Sequence, residues 1–154
     1  MTKATENILI SLKPRHADNV IRGRKTVELR RRRVRIKEGS RLWIYATLPR
    51  GTVDCVAIVA NVVSGSPKSI WRRYWRQTCI DRDEFYRYVD GEPSITAIVL
   101  GTVYPLRQSL SLEELREKLI SFHPPQFIQR IDATSRLWRL LVNATGRQEV
   151  TTPG

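Results

Sequence analysis

A cluster of cations interrupted by a single carboxylate lies between residues 22 and 37. This stretch, RGRKTVELRRRRVRIK, carries nine Lys and Arg residues in sixteen positions, and Glu28 is its one acidic residue. Cations at this density attract polyanions, whereas a carboxylate among them can hold a neighbouring Lys25 or Arg30 side chain in one orientation. The spacing therefore suggests a binding site. The alternative is a surface ion pair that only offsets repulsion and contributes at most about 1 kcal/mol.

The residues around Glu28 alternate between apolar and polar types. This pattern predicts a β-strand with Val27 and Leu29 on one face and Glu28 on the other. If the strand continued, Arg31 and Arg33 would point inward, and a small core cannot hold two unpaired guanidinium groups. We therefore predict that the strand bulges or ends near Arg31 and projects the arginine cluster into solvent. Such a cluster is suited to successive phosphate groups, which accept the forked donors of arginine.

A second group of aromatic and basic residues, WRRYWRQ, occupies positions 71–77. On a helix, Trp71 and Trp75 would share one face, and the arginines would spread over the other side. Exposed aromatic rings beside arginines suit single-stranded nucleic acid, which stacks its bases on such rings. A Trp pair at this spacing also fits a packed core, which is the interpretation we favour. The arginines would then form a second basic patch, consisting of Arg72, Arg73 and Arg76.

The sequence contains two histidines and two cysteines. His16 is expected on the surface of a short helix, with a position in a cleft as the alternative, and His123, which precedes two prolines, is expected in a loop. Cys55 lies among Val and Ile and is expected to be a buried small hydrophobe. A structural zinc site usually needs four ligands in two close pairs, and Cys55 and Cys79 do not supply that pattern. We predict no metal, no other cofactor and no disulfide.

The composition indicates a globular protein that attracts polyanions. The 154 residues are 41% hydrophobic, which predicts a single domain over 1–146 with a flexible C-terminal tail at 147–154. The net charge of +12 favours nucleic acid as the partner, with an anionic membrane or an acidic protein as rivals. No apolar stretch approaches the roughly 18 residues of a membrane span, and the N-terminus lacks the apolar core of a signal peptide. We therefore predict a cytoplasmic protein with no membrane partner, and the oligomeric state stays open.

The chain begins with β-rich segments and a single short helix, between Pro14 and Gly23. This order favours an α+β fold, a small mixed β-barrel with surrounding short helices, over alternating βαβ units. Helices are predicted to begin after the N-cap residues Ser66, Asp81 and Ser111, and a last amphipathic helix ends near Gly146. The predicted strands are 7–14, 25–29, 38–46, 53–63 and 94–106.

Four spaced residues, Gly23, Lys25, Glu28 and Arg30, spell G-x-K-x-x-E-x-R. This string follows an SLKP strand and a short helix, and it resembles the signature of the ASCH (activating signal cointegrator homology) family of PUA-like folds. Two later segments also resemble that family: EGSRLWIYA resembles its turn and third strand, and HPPQF resembles its late Pro-Pro-Gln segment. The resemblance runs from about residue 8 to 131.

The resemblance implies a small β-barrel with a polar cleft that binds RNA or another nucleic acid. Lys25, Glu28 and Arg30 would line that cleft, with Lys13 and Tyr45 as neighbours.

The same resemblance implies that Gln126 closes one edge of the cleft. Phe127 replaces the small hydroxyl residue that usually follows this Gln. With the basic patches included, the predicted nucleic-acid-binding residues are Lys13, Arg24, Lys25, Glu28, Arg30, Arg31, Arg32, Arg33, Arg35, Tyr45, Arg72, Arg73, Arg76 and Gln126. RNA is favoured over DNA.

Activities of related proteins suggest an alternative, a metal-independent hydrolase acting on RNA or modified nucleosides. One related branch hydrolyses acetylated cytidine with a Lys, a Thr three residues later and a distant Glu. Lys25 matches the Lys, but Glu28 occupies the Thr position, and the distant Glu has no clear counterpart, Glu92 being one candidate. A ribonuclease activity is attributed to other members. For such an enzyme the candidate catalytic residues are Lys25, Glu28 and Tyr45.

Overall fold

Six β-strands form one mixed sheet in the computed structural model, which describes residues 5–146. The strands are β1 (Asn7–Leu12), β2 (Val27–Arg30), β3 (Arg41–Ala46), β4 (Thr52–Gly65), β5 (Ile95–Ser111) and β6 (Ile128–Arg130). Their order across the sheet is β2-β5-β4-β3-β1-β6, with β1 and β3 parallel and the other neighbours antiparallel. Register shifts interrupt the pairing of the long strands β4 and β5, and such bulges bend strands. The sheet accordingly curls into a half-barrel.

Short helices surround the sheet. Within the described residues they are α1 (Pro14–Ile21), α2 (Pro67–Tyr74), a 3-10 turn (Trp75–Gln77), α3 (Arg82–Tyr88), α4 (Leu112–Lys118) and α5 (Arg136–Thr145). The side chains of Ser66, Asp81 and Ser111 each accept a hydrogen bond from the backbone N–H three residues later, which confirms the three predicted N-caps. The predicted α+β fold, a small mixed β-barrel with surrounding short helices, is confirmed, and the sheet forms a half-barrel.

Hydrophobic side chains pack on both faces of the sheet, because neighbouring residues of a strand point to opposite sides. Trp43 contributes to the core on one face, against α4 and α5, and Ile44 contributes to the core on the other face, against α1. Cys55 is completely buried in this second core, and burial raises the pKa of its thiol to about 12. The prediction that Cys55 is a buried hydrophobe is therefore confirmed.

Strand β2 ends at Arg30, as the arrangement of the arginines predicts. Arg30 is the last residue paired with β5, opposite Thr96. After Arg30, the backbone hydrogen-bonds to the Thr96 side chain. The Thr96 hydroxyl donates a hydrogen bond to the Arg32 carbonyl at 3.1 Å and accepts one from the Val34 N–H at 3.4 Å. The side chains of Arg31, Arg32 and Arg33 are exposed, so the chain leaves the sheet before any of them would have to point inward.

The four predictions about the chain as a whole have different outcomes. The flexible tail predicted at 147–154 lies outside the described residues, and the single-domain assignment stays a prediction. Among residues 5–146 no helix is long and apolar enough to span a membrane. The cytoplasmic location stays a prediction.

Candidate functional site

The Lys25, Glu28 and Arg30 side chains meet on one side of β2. The Glu28 carboxylate lies 3.5 Å from the Lys25 ammonium nitrogen and 3.1 Å from Nη2 of Arg30. Lys25 is only 2% exposed and Glu28 only 7% exposed. Val27 and Leu29 pack in the core on the opposite side, which confirms the predicted division of the strand. The alternative of a surface ion pair is wrong, because solvent barely reaches the two partners.

The position of Lys25 is fixed from two directions. Gly23, whose φ is 74°, ends the turn after α1, and the backbone N–H of Lys25 donates to the Asn19 carbonyl at 3.0 Å. The Lys25 ammonium group donates a hydrogen bond to the Thr78 carbonyl at 2.8 Å. Next to it, the Thr26 N–H donates to the Gln77 carbonyl at 3.0 Å. The lysine is therefore a positioned cation rather than a mobile surface amine.

A cavity of about 200 Å³ opens over this motif, and we call it the inner pocket. Because a water molecule occupies about 30 Å³ of liquid, the inner pocket can hold several waters or one planar ring. Strands β1 and β2 and helices α1 and α3 supply its walls. Its polar side chains belong to Ser11, Lys13, His16, Lys25, Glu28, Arg30, Glu84 and Tyr88.

His16 lines the inner pocket, so the favoured expectation of a helix-surface histidine is wrong and the alternative of a cleft position is the one observed. Helix α1 packs with Ala17 and Val20 on the core formed by β3 and β5. This docking, which the helix sequence does not reveal, leaves His16 close enough to Lys25 to feel its charge. Burial, followed by the charge of Lys25, lowers the pKa of His16 from 6.5 to about 4, so the imidazole is neutral at pH 7. Within residues 5–146, Nδ1 of His16 and Nε of Arg30 are buried without a hydrogen-bond partner. Buried polar atoms usually have hydrogen-bond partners. Because both of these atoms belong to residues that line the inner pocket, a ligand in the pocket could form hydrogen bonds with them.

The acidic residue that α3 adds to the inner pocket is Glu84, not the Glu92 considered from the sequence. Glu84 forms an ion pair with Arg15, whose hydrogen bond lowers the pKa of the Glu84 carboxyl. Glu92 instead pairs with Arg31 at 3.2 Å, outside the inner pocket. In the sequence, Glu84 is noticed only as part of the capping box that begins at Asp81. That role accounts for a glutamate at this position, so nothing pointed to a place in a binding pocket.

A second cavity, of about 540 Å³, lies beside the inner pocket, and we call it the outer groove. Arg30 and Tyr88 line both cavities, so the two adjoin. The side chains of the arginine cluster and of the strand β6 region form the outer groove: Arg30, Arg31, Arg32, Arg33, Val34, Arg35, Tyr88, Glu92, Gln126, Phe127, Ile128 and Arg130. The predicted solvent-exposed cluster therefore lies beside the motif.

Gln126 lines the outer groove and does not line the inner pocket. The prediction that it closes an edge of the motif cleft is therefore wrong, because it belongs to the neighbouring cavity. Lys13 lines the inner pocket, as predicted from the resemblance. Arg24 is exposed and lines neither cavity.

Tyr45 does not lie beside the motif, and its assignment as a cleft residue is wrong. It points to the same side of β3 as Trp43 and is buried in the core against α4 and α5. It lines neither the inner pocket nor the outer groove. Burial raises the pKa of its hydroxyl.

The two tryptophans of residues 71–77 have different environments. Trp71 is partly buried and packs against the core, with 4.7 Å between its ring centroid and that of the buried Phe85. Helix α2 ends at Tyr74, and Trp75 lies in the following 3-10 turn with 47% of its surface exposed. The core interpretation therefore holds for Trp71 alone. The arginines at 72, 73 and 76 are exposed, and Arg76 lies over the Trp75 ring at 5.1 Å.

The comparisons with known proteins agree with this geometry. A family model described as a domain of unknown function, DUF365, matches residues 7–121. A Zymomonas mobilis protein named ASCH domain-containing ribonuclease is 36% identical over 118 residues, which cover 77% of this chain and 79% of that protein. The crystal structure of ASCH from Zymomonas mobilis has a TM-score of 0.84 and 32% identity, covering 92% of this chain and 96% of that chain.

A more distant structure, human THYN1 in complex with DNA containing 5-methylcytosine, has a TM-score of 0.54 and 9% identity, covering 93% of this chain and 99% of that chain. That likeness concerns the fold alone. The curled sheet and the polar pocket over β2 define a PUA-like domain. The chain belongs to the ASCH domain family and matches the family described as DUF365, which confirms the resemblance of the G-x-K-x-x-E-x-R string.

Proposed function

We propose that this protein binds nucleic acid, with its phosphates in the outer groove and one base or nucleotide in the inner pocket. The observation that carries the proposal is the concentration of arginines around one groove. Arg30, Arg31, Arg32, Arg33, Arg35 and Arg130 line it, with Glu92 as its one acidic side chain. Guanidinium groups match phosphate oxygens with forked donors, and the net charge of +12 attracts polyanions over longer distances.

The inner pocket supports the second part of this proposal. Its volume of about 200 Å³ suits a single ring system, and it adjoins the outer groove at Arg30 and Tyr88. A nucleotide of a bound strand can therefore enter it while neighbouring phosphates stay on the arginines. The neutral imidazole of His16 and the Nε–H of Arg30 supply hydrogen-bonding groups that phosphate attraction alone would not need. Base contacts of this kind provide selectivity, whereas phosphate contacts provide affinity.

RNA is the proposed polymer rather than DNA. The support is the name of the Zymomonas mobilis relative, which is described as a ribonuclease. A protein that shares the fold, human THYN1, was solved with DNA, so a DNA comparison belongs in every experiment.

Salt-dependent binding tests the proposal. Fluorescence anisotropy with RNA and DNA oligonucleotides of one sequence would give affinities over a series of salt concentrations. Each neutralised phosphate of a single strand contributes about 0.7 to the log–log slope, so four contacts give a slope near −3. A flat salt response would contradict the proposal. Binding to an acidic protein that oligonucleotides cannot displace would instead favour the protein-partner alternative.

A second proposed function is RNA cleavage, which is favoured by the relative's name together with the chemistry of the inner pocket. We propose a route that uses the pocket's own side chains. In the proposed step, the ribose 2′-oxygen bonds to the adjacent phosphorus and gives its proton to the neutral imidazole of His16. The bond from phosphorus to the 5′-oxygen breaks, and that oxygen takes a proton from a water molecule. The hydroxide left by that water takes the proton from the His16 imidazolium and restores the neutral imidazole. Lys25 and Arg30 stabilise the charge on the phosphate oxygens. The products carry a 2′,3′-cyclic phosphate and a 5′-hydroxyl.

Cleavage in the presence of a chelator tests this second function. His16→Gln is expected to lower the rate about 100-fold or more, since general-base catalysis contributes that much, while RNA binding is retained. His123→Gln is the matched control, because His123 is an exposed loop histidine outside the inner pocket. Cleavage that persists unchanged in His16→Gln and in Lys25→Ala would show that the activity does not come from this pocket. The acetylcytidine alternative is not proposed, because the Thr position holds Glu28, which is ion-paired to Lys25.

A further inference from the structure

Exposed aromatic rings in this protein lie beside arginines. Among residues 5–146, the large hydrophobic side chains that are exposed are Leu48, Trp75, Tyr88, Ile120 and Phe127. Three of these are aromatic, and two of the three, Tyr88 and Phe127, line the outer groove. The groove is therefore basic and aromatic at the same time, a combination that phosphate binding alone does not require.

Phe127 is held in the groove but contributes little to the core. Its side chain is 57% exposed, although burial would stabilise a ring of this size. The Arg32 guanidinium lies over the ring, 4.8 Å from its centroid, and orients it. With an arginine on one side and more than half of the residue exposed, Phe127 presents an aromatic surface to the space of the groove.

Tyr88 is a second oriented ring. It is 39% exposed, and its hydroxyl donates a hydrogen bond to the Leu29 carbonyl at 3.2 Å. This bond joins the end of α3 to strand β2 and limits the rotation of the ring. Because Tyr88 lines both cavities, it lies where the outer groove meets the inner pocket.

We infer that the outer groove takes a single-stranded segment of nucleic acid, whose bases stack on Phe127 and Tyr88 while its phosphates contact the arginines of residues 31–35. This inference rests on the proposed nucleic-acid binding and specifies the form of the polymer. Base faces are available to aromatic side chains only where the strand is unpaired. A duplex would contact the arginines and leave both rings without a base. The volume of about 540 Å³ is sufficient for a short segment rather than a long helix.

The first test compares single-stranded and duplex RNA of the same sequence and length. We expect the single strand to bind at least about tenfold more tightly, since base–aromatic stacking adds to the phosphate contacts. Equal or tighter binding of the duplex would overturn the inference while leaving the proposed function intact. If neither form bound, the proposed function and this inference would both fail. Tight binding of a poly-glutamate peptide that RNA could not displace would also overturn it, in favour of an acidic protein partner.

The second test removes one aromatic face without changing charge. Phe127→Leu is expected to weaken single-strand binding about 5- to 100-fold and to leave duplex binding and the salt dependence unchanged. Phe127→Trp keeps an aromatic face and is expected to bind the single strand like the original chain. Ile120→Ala is the matched control, since Ile120 is also an exposed hydrophobic residue but does not line the outer groove. Equal losses for single strand and duplex in Phe127→Leu would contradict stacking.

A fluorescent base gives a third measurement. In a single-stranded RNA that contains 2-aminopurine, stacking on an aromatic ring is expected to change the emission on binding. Phe127→Leu is expected to reduce that change when compared at saturating protein. An unchanged signal in this variant and in Tyr88→Leu would place the bases elsewhere and overturn the inference.

Discussion

The ammonium nitrogen of Lys25 lies 3.5 Å from the carboxylate of Glu28, and both side chains are almost completely buried. Arg30 approaches the other oxygen of the same carboxylate at 3.1 Å. One carboxylate therefore pairs with two cations in the floor of the inner pocket. These three side chains together keep a net positive charge, which favours an anionic or hydrogen-bond-accepting ligand. The carboxylate orients both cations, and this relationship gives the most direct stability test.

Glu28→Gln is expected to destabilise the protein by about 3 kcal/mol, because it leaves the buried Lys25 and the partly buried Arg30 without their counter-charge. Urea denaturation measures this loss. Glu92→Gln is the matched control: it removes one partner of the more exposed pair with Arg31, which contributes at most about 1 kcal/mol. Equal losses in the two variants would contradict the buried character of the Glu28 site. In RNA binding, Glu28→Gln is expected to change selectivity among nucleotides.

Replacing Arg31, Arg32 and Arg33 together by Gln is expected to weaken binding to all sequences alike. Three lost phosphate contacts would reduce the log–log salt slope by about 2. Anisotropy titrations at several salt concentrations measure the slope.

A triple variant on a different surface controls for the change in net charge. Arg107, Arg136 and Arg139 are exposed and line neither the inner pocket nor the outer groove. Replacing these three arginines by Gln also removes three positive charges, but it is expected to leave the log–log salt slope of binding largely unchanged. The same reduction in both triple variants would show that binding follows total charge rather than the outer groove.

His16 is expected to make stability depend on pH between about 4 and 6.5. Its pKa is about 4 in the folded protein and near 6.5 when unfolded, so the unfolded chain binds more protons in this window. Stability should therefore fall as the pH falls from 6.5 toward 4. Urea midpoints over this range are expected to change less in His16→Gln, which cannot titrate. The His123→Gln control should retain the original pH dependence, and an NMR titration placing the His16 pKa near 6.5 would contradict the prediction.

The two tryptophans around the end of α2 are expected to respond differently to truncation. Trp71→Ala removes a ring packed on Phe85 and should cost about 2 kcal/mol or more. Trp75→Ala removes a ring that is half exposed and should cost less than about 1 kcal/mol. Urea denaturation of both variants checks the difference, and similar losses would contradict the split between core and surface.

Local patterns predicted β2 and its surroundings well. Alternation around Glu28 gave the two faces of the strand, and the cost of burying Arg31 and Arg33 gave its end. The relation between elements was harder to predict. All six residues of β3 are buried, so no polar alternation marks its faces. The family resemblance alone placed Tyr45 beside the cleft, whereas its side chain lies in the core against α4 and α5.

His16 and Glu84 show the same difficulty. Each lies on a helix, and its position in the inner pocket depends on how that helix docks on the rest of the fold. Their local roles, in a helix turn and in a capping box, already explained them. Docking geometry is set by packing between distant segments, which a single sequence does not display.

The hydrogen bond from Lys25 to the Thr78 carbonyl has a practical consequence. It ties the floor of the inner pocket to the turn that carries Trp75 and its exposed indole. A ligand that moves the Lys25 side chain also disturbs this hydrogen bond and the turn before Thr78. We therefore expect the fluorescence emission of Trp75 to change when a ligand binds in the inner pocket. The protein thus contains its own optical reporter of pocket occupancy, which could be isolated by replacing the other tryptophans with phenylalanine and which requires no labelled ligand.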